Sequence, residues 1–353
     1  MTSTHWRTRA IAFACGAAGA VILAALPARS APAPAADGDL AKRIATYVSG
    51  QAKSGAFSGV VLLAHNGTTV YSGAFGLASI EYGVPNTVDT AFNLGSIDKL
   101  MTQIAIEQLA QAHALSLDQT IGDLLPDYPN AKAKTATVRQ LLDMSSGIGD
   151  FFGDRFDATP KDKIRALADY LPLFADDALA FAPGTSHQYS NGGYVVLGLI
   201  VERVSKQSYY DYIRTHIFDP AGMTGSGWPQ RDIPTPHLAS GYTRQTDDGP
   251  SPELRNNIYT APARGSSAGG GYSTAQDLVR FAAALESGKL LPAEKSAAFL
   301  HGGIGVAGGA PGINADLEID PQSGYVLVVL SNYDPPSAVA VAKVIRGWIG
   351  IGD

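Results

Sequence analysis

Thiol chemistry is almost missing from this sequence: 353 residues hold one cysteine, Cys15. It lies in an N-terminal stretch with the marks of an export signal. Arg7 and Arg9 precede the apolar run from Ala10 to Leu26, and Ala33-Pro34-Ala35 offers a small-residue cleavage site. Loss of this segment, residues 1–35, would leave a mature chain with no thiol. Disulfides, a thiolate nucleophile and cysteine-based metal sites are then excluded together. Cleavage predicts a periplasmic or secreted protein. The alternative is a retained membrane anchor, because the run approaches the ~20 residues that span a bilayer. Cys15 lacks the apolar stretch and leucine that a lipoprotein site places before it. Charge is also sparse: 16% of residues are charged, the formal net charge is -6, and there is no long Lys/Arg run. Nucleic acid is therefore not an expected partner. The seven histidines show no His-x-x-x-His spacing, so neither a metal nor any other cofactor is expected.

What the chain has in quantity is apolar pattern, with 45% hydrophobic residues, the composition of an ordinary globular protein. Leu40 to Lys53 reads as an amphipathic helix. Two β-prone runs around Asn66-Gly67 read as a hairpin. Helical periodicity covers Lys99–Ala112, Thr137–Met144, Asp162–Leu171, Tyr194–Val204, Tyr209–His216 and Thr274–Glu286. Between Gly225 and Gly271, proline, glycine and polar residues predict long surface loops. In "INADLEID", Ile313, Ala315, Leu317 and Ile319 alternate with polar residues, which predicts a half-buried strand. "YVLVVLS" reads as a more fully apolar strand and "VAVAKVIRGWIG" as a closing helix. Strands at both ends with helices between them predict a layered sheet built from both ends of the chain. The divisions are 36–95 and 271–353 for the sheet layer and 96–270 for an inserted helical domain.

Three residue patterns bear on chemistry. In "FNLGSIDKLMTQ", Ser96 and Lys99 stand three apart where a helix begins, so hydroxyl and amine share a face. A serine attacks carbonyls only once its proton is taken. Lysine can take it only if burial or a nearby cation lowers its usual pKa of ~10.4. Tyr189-Ser190-Asn191 stands where a loop enters an apolar helix. Its phenol could relay a proton and its amide orient a carbonyl, or the pair could simply pack and cap. The similar Tyr128-Pro129-Asn130 sits between helix breakers and reads as a turn. The glycine-rich "HGGIGVAGGAPG" would let backbone N–H groups approach a ligand, or would serve as a plain loop or bulge. Gly303-x-Gly305-x-x-Gly308 lacks the strand and helix of a dinucleotide site. Gly265-Ser266-Ser267-Ala268-Gly269 matches a nucleophile elbow in letters. With His301 and Asp277 it gives a rival triad centred on Ser267. Among the histidines, His187 lies nearest a candidate site.

Taken together, Ser96-Ile97-Asp98-Lys99, Tyr189-Ser190-Asn191 and Gly308-Gly309 resemble the three motifs of the serine β-lactamase and penicillin-binding-protein family. The nearest branch is the class C β-lactamase-like group of esterases, D-aminopeptidases and D-Ala-D-Ala carboxypeptidases. "VRQLLDMSSGI", "FAPGTSHQYSNGGYVVLGLIVE", "DPAGMTGSG" and "AGGGYSTAQDLVRF" resemble further landmarks in the same order, over nearly all of the mature chain. The resemblance implies an α+β, β-lactamase/transpeptidase-like fold with an antiparallel sheet flanked by helices. It also implies a cofactor-free serine hydrolase acting on a small-molecule or peptide ester or amide. Ser96 would form an acyl-enzyme, and Lys99 and Tyr189 would share the proton transfers. Asn191 would bind substrate or Lys99, and Gly308-Gly309 would lie at the oxyanion site beside the Ser96 N–H. Two departures stand out. Asp98 replaces a common threonine, and Val306 stands where the third motif usually opens with Lys or His. The stretch from Lys289 to Val306 also reads as short for the family. Val306 favours uncharged substrates over carboxylate-bearing ones. Val306 and the short stretch together keep open a non-catalytic peptidoglycan- or peptide-binding protein on the same scaffold.

Overall fold

The computed structural model describes residues 37–246 and 249–351. The expected signal segment, with Cys15, lies outside the described residues. Helix α1 (Asp37–Lys53) leads into strands β1 (Gly59–His65) and β2 (Thr68–Phe75). Asn66 and Gly67 join these strands with φ of 49° and 76°, the left-handed pair that a two-residue hairpin turn needs. Helices α2 (Lys99–Gln111), α3 (Asn191–Ser205) and α4 (Ala275–Glu286) follow. The chain ends in β3 (Ile304–Ala310), β4 (Ile313–Asp320), β5 (Tyr325–Ser331) and helix α5 (Ser337–Ile349). The five strands form one antiparallel sheet in the order β2-β1-β5-β4-β3, so both halves of the sequence build it.

The central strands divide their side chains between two cores, as the two-residue period of a strand requires. Val60 and Leu62 of β1 with Val328 and Leu330 of β5 pack toward the inserted helices, against Ile104, Val195 and Phe281. Val61, Leu63, Leu327 and Val329 point the other way, against Ile44 and Val48 of α1 and Val341 and Ile345 of α5. The sheet is covered on both faces.

Three expectations change. The "INADLEID" strand is not half-buried, because Asn314, Asp316 and Glu318 are buried along with their apolar neighbours. Helix α5 covers that polar face and uses it. Asn314 Oδ1 accepts the backbone N–H groups of Ala338 (2.7 Å) and Val339 (3.1 Å), capping α5 from another strand. Arg346 pairs with Glu318. Second, the periodic run 162–171 forms two 3-10 turns, Lys161–Lys163 and Leu167–Leu173, instead of an α-helix. Asp169 accepts the N–H groups of Arg165 and Ala166, which starts a new turn there, and Pro172 denies it an extension. Third, 225–271 is not surface loop throughout. It contains a hairpin, Tyr242–Thr246 with Gly249–Asn256. Trp228, Ser266 and Ser267 turn inward and are buried. The stretch 289–306 carries a short helix, Ala293–Phe299, and then enters β3 directly. The glycine-rich segment is thus mostly an edge strand.

Asp316 is a buried acid of this layer, 3% exposed and with Oδ1 unpartnered among the described residues. Burial first, then the Glu318 charge, raises its carboxyl to about 7, against the opposing pull of Arg346. A raised acid contributes stability below its unfolded pKa of ~4 and loses it as pH climbs to the folded value. Asp316→Asn is therefore expected to stabilise the protein, with the gain widening by roughly 2–3 kcal/mol between pH 5 and pH 8. Urea unfolding at the two pH values measures this; an equal difference at both would contradict it.

Candidate active site

Ser96 lies in a 3-10 turn, Gly95–Asp98, that runs straight into α2, whose first residue is Lys99. In a helix of three residues per turn, positions i and i+3 eclipse one another. The turn therefore stacks the two side chains more directly than an α-helix would, and Lys99 Nζ lies 3.1 Å from Ser96 Oγ. Tyr189 approaches the same oxygen from the loop before α3, with its hydroxyl 2.6 Å from Ser96 Oγ. Two backbone anchors hold that loop. Gln188 N–H donates to Met144 O, and Ser190 caps α3 by accepting the Gly193 N–H while donating to Gly149 O.

Lys99 has two further acceptors, Asn191 Oδ1 at 2.7 Å and the carbonyl of Ala268 at 2.5 Å. Asn191 Nδ2 donates to Asp150 Oδ2 at 2.7 Å, which fixes the amide so that its oxygen faces Lys99. A neutral amine has two hydrogens and one lone pair. The ammonium donates to Ser96, Asn191 and Ala268 together; once deprotonated it would give its two hydrogens to Asn191 and Ala268 and its lone pair to Ser96. The lysine is 6% exposed. Burial lowers its pKa to about 7, with the Asp150 and Asp98 charges opposing the shift. Tyr189 is 53% exposed, yet desolvation of the phenol takes it up to about 12. The Ser96 hydrogen bond works against that rise and the Asp150 charge adds to it. Burial thus makes the Lys99 ammonium easier to deprotonate and the Tyr189 phenol harder.

Strand β3 supplies the remaining wall. A Cβ on Gly308 would fall 1.9 Å from Leu94 O and 2.9 Å from Ser96 N, and one on Gly95 (φ 52°) would fall 2.8 Å from Gly309 N. Glycine at these positions lets the strand backbone lie against the Ser96 turn. Val306 precedes Gly308 by two residues and so shares its face. It pairs with Leu317 and packs against the main core, offering no polar group.

The six residues expected from the sequence, Ser96, Lys99, Tyr189, Asn191, Gly308 and Gly309, thus come together. The rival triad does not. Ser267 is fully buried and donates to Tyr194 O at 2.7 Å. Asp277 accepts from Gly225 N–H, Ser226 Oγ and Arg280. His301 sits in the turn before β3, and no hydrogen bond joins the three among the described residues. What looks like a nucleophile elbow is the turn that presents Ala268 O to Lys99. His187 is exposed, and Asn130 closes a turn by accepting the N–H groups of Lys132 and Ala133. Sequence reading missed Asp150, whose role depends on a partner 41 positions away. It also missed the Ala268 carbonyl, for which a backbone acceptor leaves no signal.

Comparison with known proteins places this geometry. The family model described as Beta-lactamase matches residues 41–302, ending just before β3. Penicillin-binding protein 4* of Bacillus subtilis is 33% identical over 191 residues, 53% of this chain but 42% of that protein. The chain thus spans less than half the length of that relative. The crystal structure of a penicillin-binding protein from Bacillus halodurans superposes with a TM-score of 0.77 at 29% identity, covering 86% of this chain and 99% of that one. D-amino acid amidase from Ochrobactrum anthropi SV3 superposes with a TM-score of 0.74 over 87% of this chain and 98% of that one. At 23% identity the amidase speaks for the fold alone. With the family model matched over most of the chain and the fold shared, the protein belongs to the beta-lactamase family.

Proposed function

We propose that this protein is an exported serine hydrolase that cleaves uncharged esters or amides through an acyl-enzyme on Ser96. The observation that carries the reading is the position of Ser96 Oγ between Lys99 Nζ and the Tyr189 hydroxyl, at 3.1 and 2.6 Å. In the proposed cycle the Lys99 amine takes the serine proton as Oγ bonds to the substrate carbonyl carbon. Backbone N–H groups at Ser96 and Gly309 receive the developing oxyanion, a contribution of about 3 kcal/mol per donor. The Tyr189 hydroxyl protonates the leaving group, and the Lys99 ammonium beside its ring, 4.8 Å from the centroid, steadies the phenolate that remains. Water then attacks the acyl carbon, giving a proton to that phenolate while Lys99 returns its own to Ser96 Oγ. Every proton is accounted for, and the cycle needs no cofactor.

The choice of an uncharged substrate rests on Val306. Apolar packing at that position offers neither a cation nor a hydrogen bond to a substrate carboxylate. The penicillin-binding names of relatives 33% identical over 191 residues and 29% identical over 86% of this chain support trying penicillins as probes. Export rests on the N-terminal pattern and is checked by the N-terminus of protein recovered from the culture medium or periplasm.

Ser96→Ala is expected to lower p-nitrophenyl ester hydrolysis about a thousandfold and Lys99→Met about a hundredfold, with Ser267→Ala close to wild type. Equal activity in Ser96→Ala would overturn the reading. Penicillin held reversibly without ester turnover would favour the binding-protein alternative. Val306→Lys is expected to shift selectivity toward a carboxylate-bearing penicillin over the neutral ester by roughly tenfold, measured as a ratio of acylation rates. An unchanged ratio would remove Val306 from the account of specificity.

A further inference from the structure

Asp98 is 1% exposed and follows Ser96 by two residues, yet the proposed reaction gives it nothing to do. Its Oδ2 accepts the Gly271 N–H at 2.5 Å. Gly271 returns a bond to the same region, its carbonyl accepting the Leu94 N–H at 2.8 Å. Both polar groups of Gly271 are therefore clamped by residues on either side of the nucleophile. A Cβ there would fall 2.8 Å from each Asp98 oxygen and 2.9 Å from Trp228, so no side chain fits. Asn93 tightens the seam, donating from Nδ2 to Gly270 O at 3.3 Å while its Oδ1 accepts the Gly95 N–H. Three residues before the clamp, Ala268 O meets Lys99 Nζ. Two residues before it, Gly269 packs against Gly95.

Burial raises the Asp98 carboxyl to about 7, against the Gly271 hydrogen bond and the Lys99 charge. Its charge therefore fades below neutral pH, and what it offers the site throughout is an acceptor for the Gly271 N–H. We propose that Asp98 is a positioning residue that holds the 268–271 segment so that Ala268 O orients the Lys99 amine. This rests on the Ser96–Lys99 reading above. A neutral asparagine oxygen would accept the same N–H at lower desolvation cost, so the acceptor can be kept while the carboxylate is removed.

The test is p-nitrophenyl acetate hydrolysis by wild type, Asp98→Asn, Asp98→Ala and Ser96→Ala. Asp98→Asn keeps an acceptor for Gly271 and is expected to hold kcat within about twofold of wild type. Asp98→Ala, with no acceptor, is expected to lose at least about tenfold in kcat with KM little changed. Asp98→Thr, which keeps a hydroxyl acceptor, serves if the asparagine variant does not fold, and Asp98→Leu, which keeps the bulk without an acceptor, serves if the alanine variant does not. Equal kcat with and without the acceptor, while wild-type turnover depends on Ser96, overturns this inference alone. Turnover that survives Ser96→Ala in the wild type overturns the underlying reading and this inference with it.

Discussion

Desolvation of Lys99 is the constraint from which the site's chemistry follows. An ammonium at 6% exposure, with its carboxylates one residue or one amide away, is held less well than it would be in water. The fall of its pKa to about 7 corresponds to a folding cost on the order of 5 kcal/mol below neutral pH. The same burial brings deprotonation of the amine, 3.1 Å from a serine hydroxyl, within reach near neutral pH. In the proposed cycle the carbonyls of Asn191 and Ala268 take the amine hydrogens and leave its lone pair for Ser96 Oγ. Any change that let water reach Nζ would restore the ammonium and undo the arrangement.

The rest of the scaffold serves that enclosure. Two cores on opposite faces of one sheet hold β4 and β5 rigidly, and β3 hangs on β4 along its whole length. Gly95 and Gly308 remove the side chains that would keep β3 from the Ser96 turn. From the helical side, the turn ahead of α2 supplies the serine, α2 the lysine, α3 the asparagine, and the loop ahead of α3 the tyrosine. The 266–271 segment closes the fourth side through Ala268. Each wall comes from a different part of the chain, so the site exists only in the completed fold.

Much of this was legible because it rests on local pattern. Asn66-Gly67 dictates its own hairpin, and "YVLVVLS" has the unbroken apolar run of a strand covered on both faces. Ser96 and Lys99 share a turn, so spacing alone placed them together. The failures share a different cause. In "INADLEID" the alternation is real, but Asn314 and Glu318 find their partners on α5, and no local window shows that a helix will cover them. Periodicity at 162–171 was overridden by Asp169 capping a new turn. The glycine-rich stretch near the end gave no strand signal because strand propensity is low there; pairing with β4 decides its conformation. Ser267 and Asp150 show the same limit in opposite directions. A motif in letters turned out to be a buried turn, and a residue in no motif turned out to orient Asn191.

The most direct measurement is a titration of Lys99 itself, by NMR of the protein labelled at lysine Cε and assigned by comparison with Lys99→Met. A midpoint near pH 7, well separated from the surface lysines that titrate near their free value of ~10.4, is the result this account expects. A Lys99 signal that moves with the surface lysines would mean that the ammonium persists at neutral pH, and the proposed proton acceptor for Ser96 would be gone.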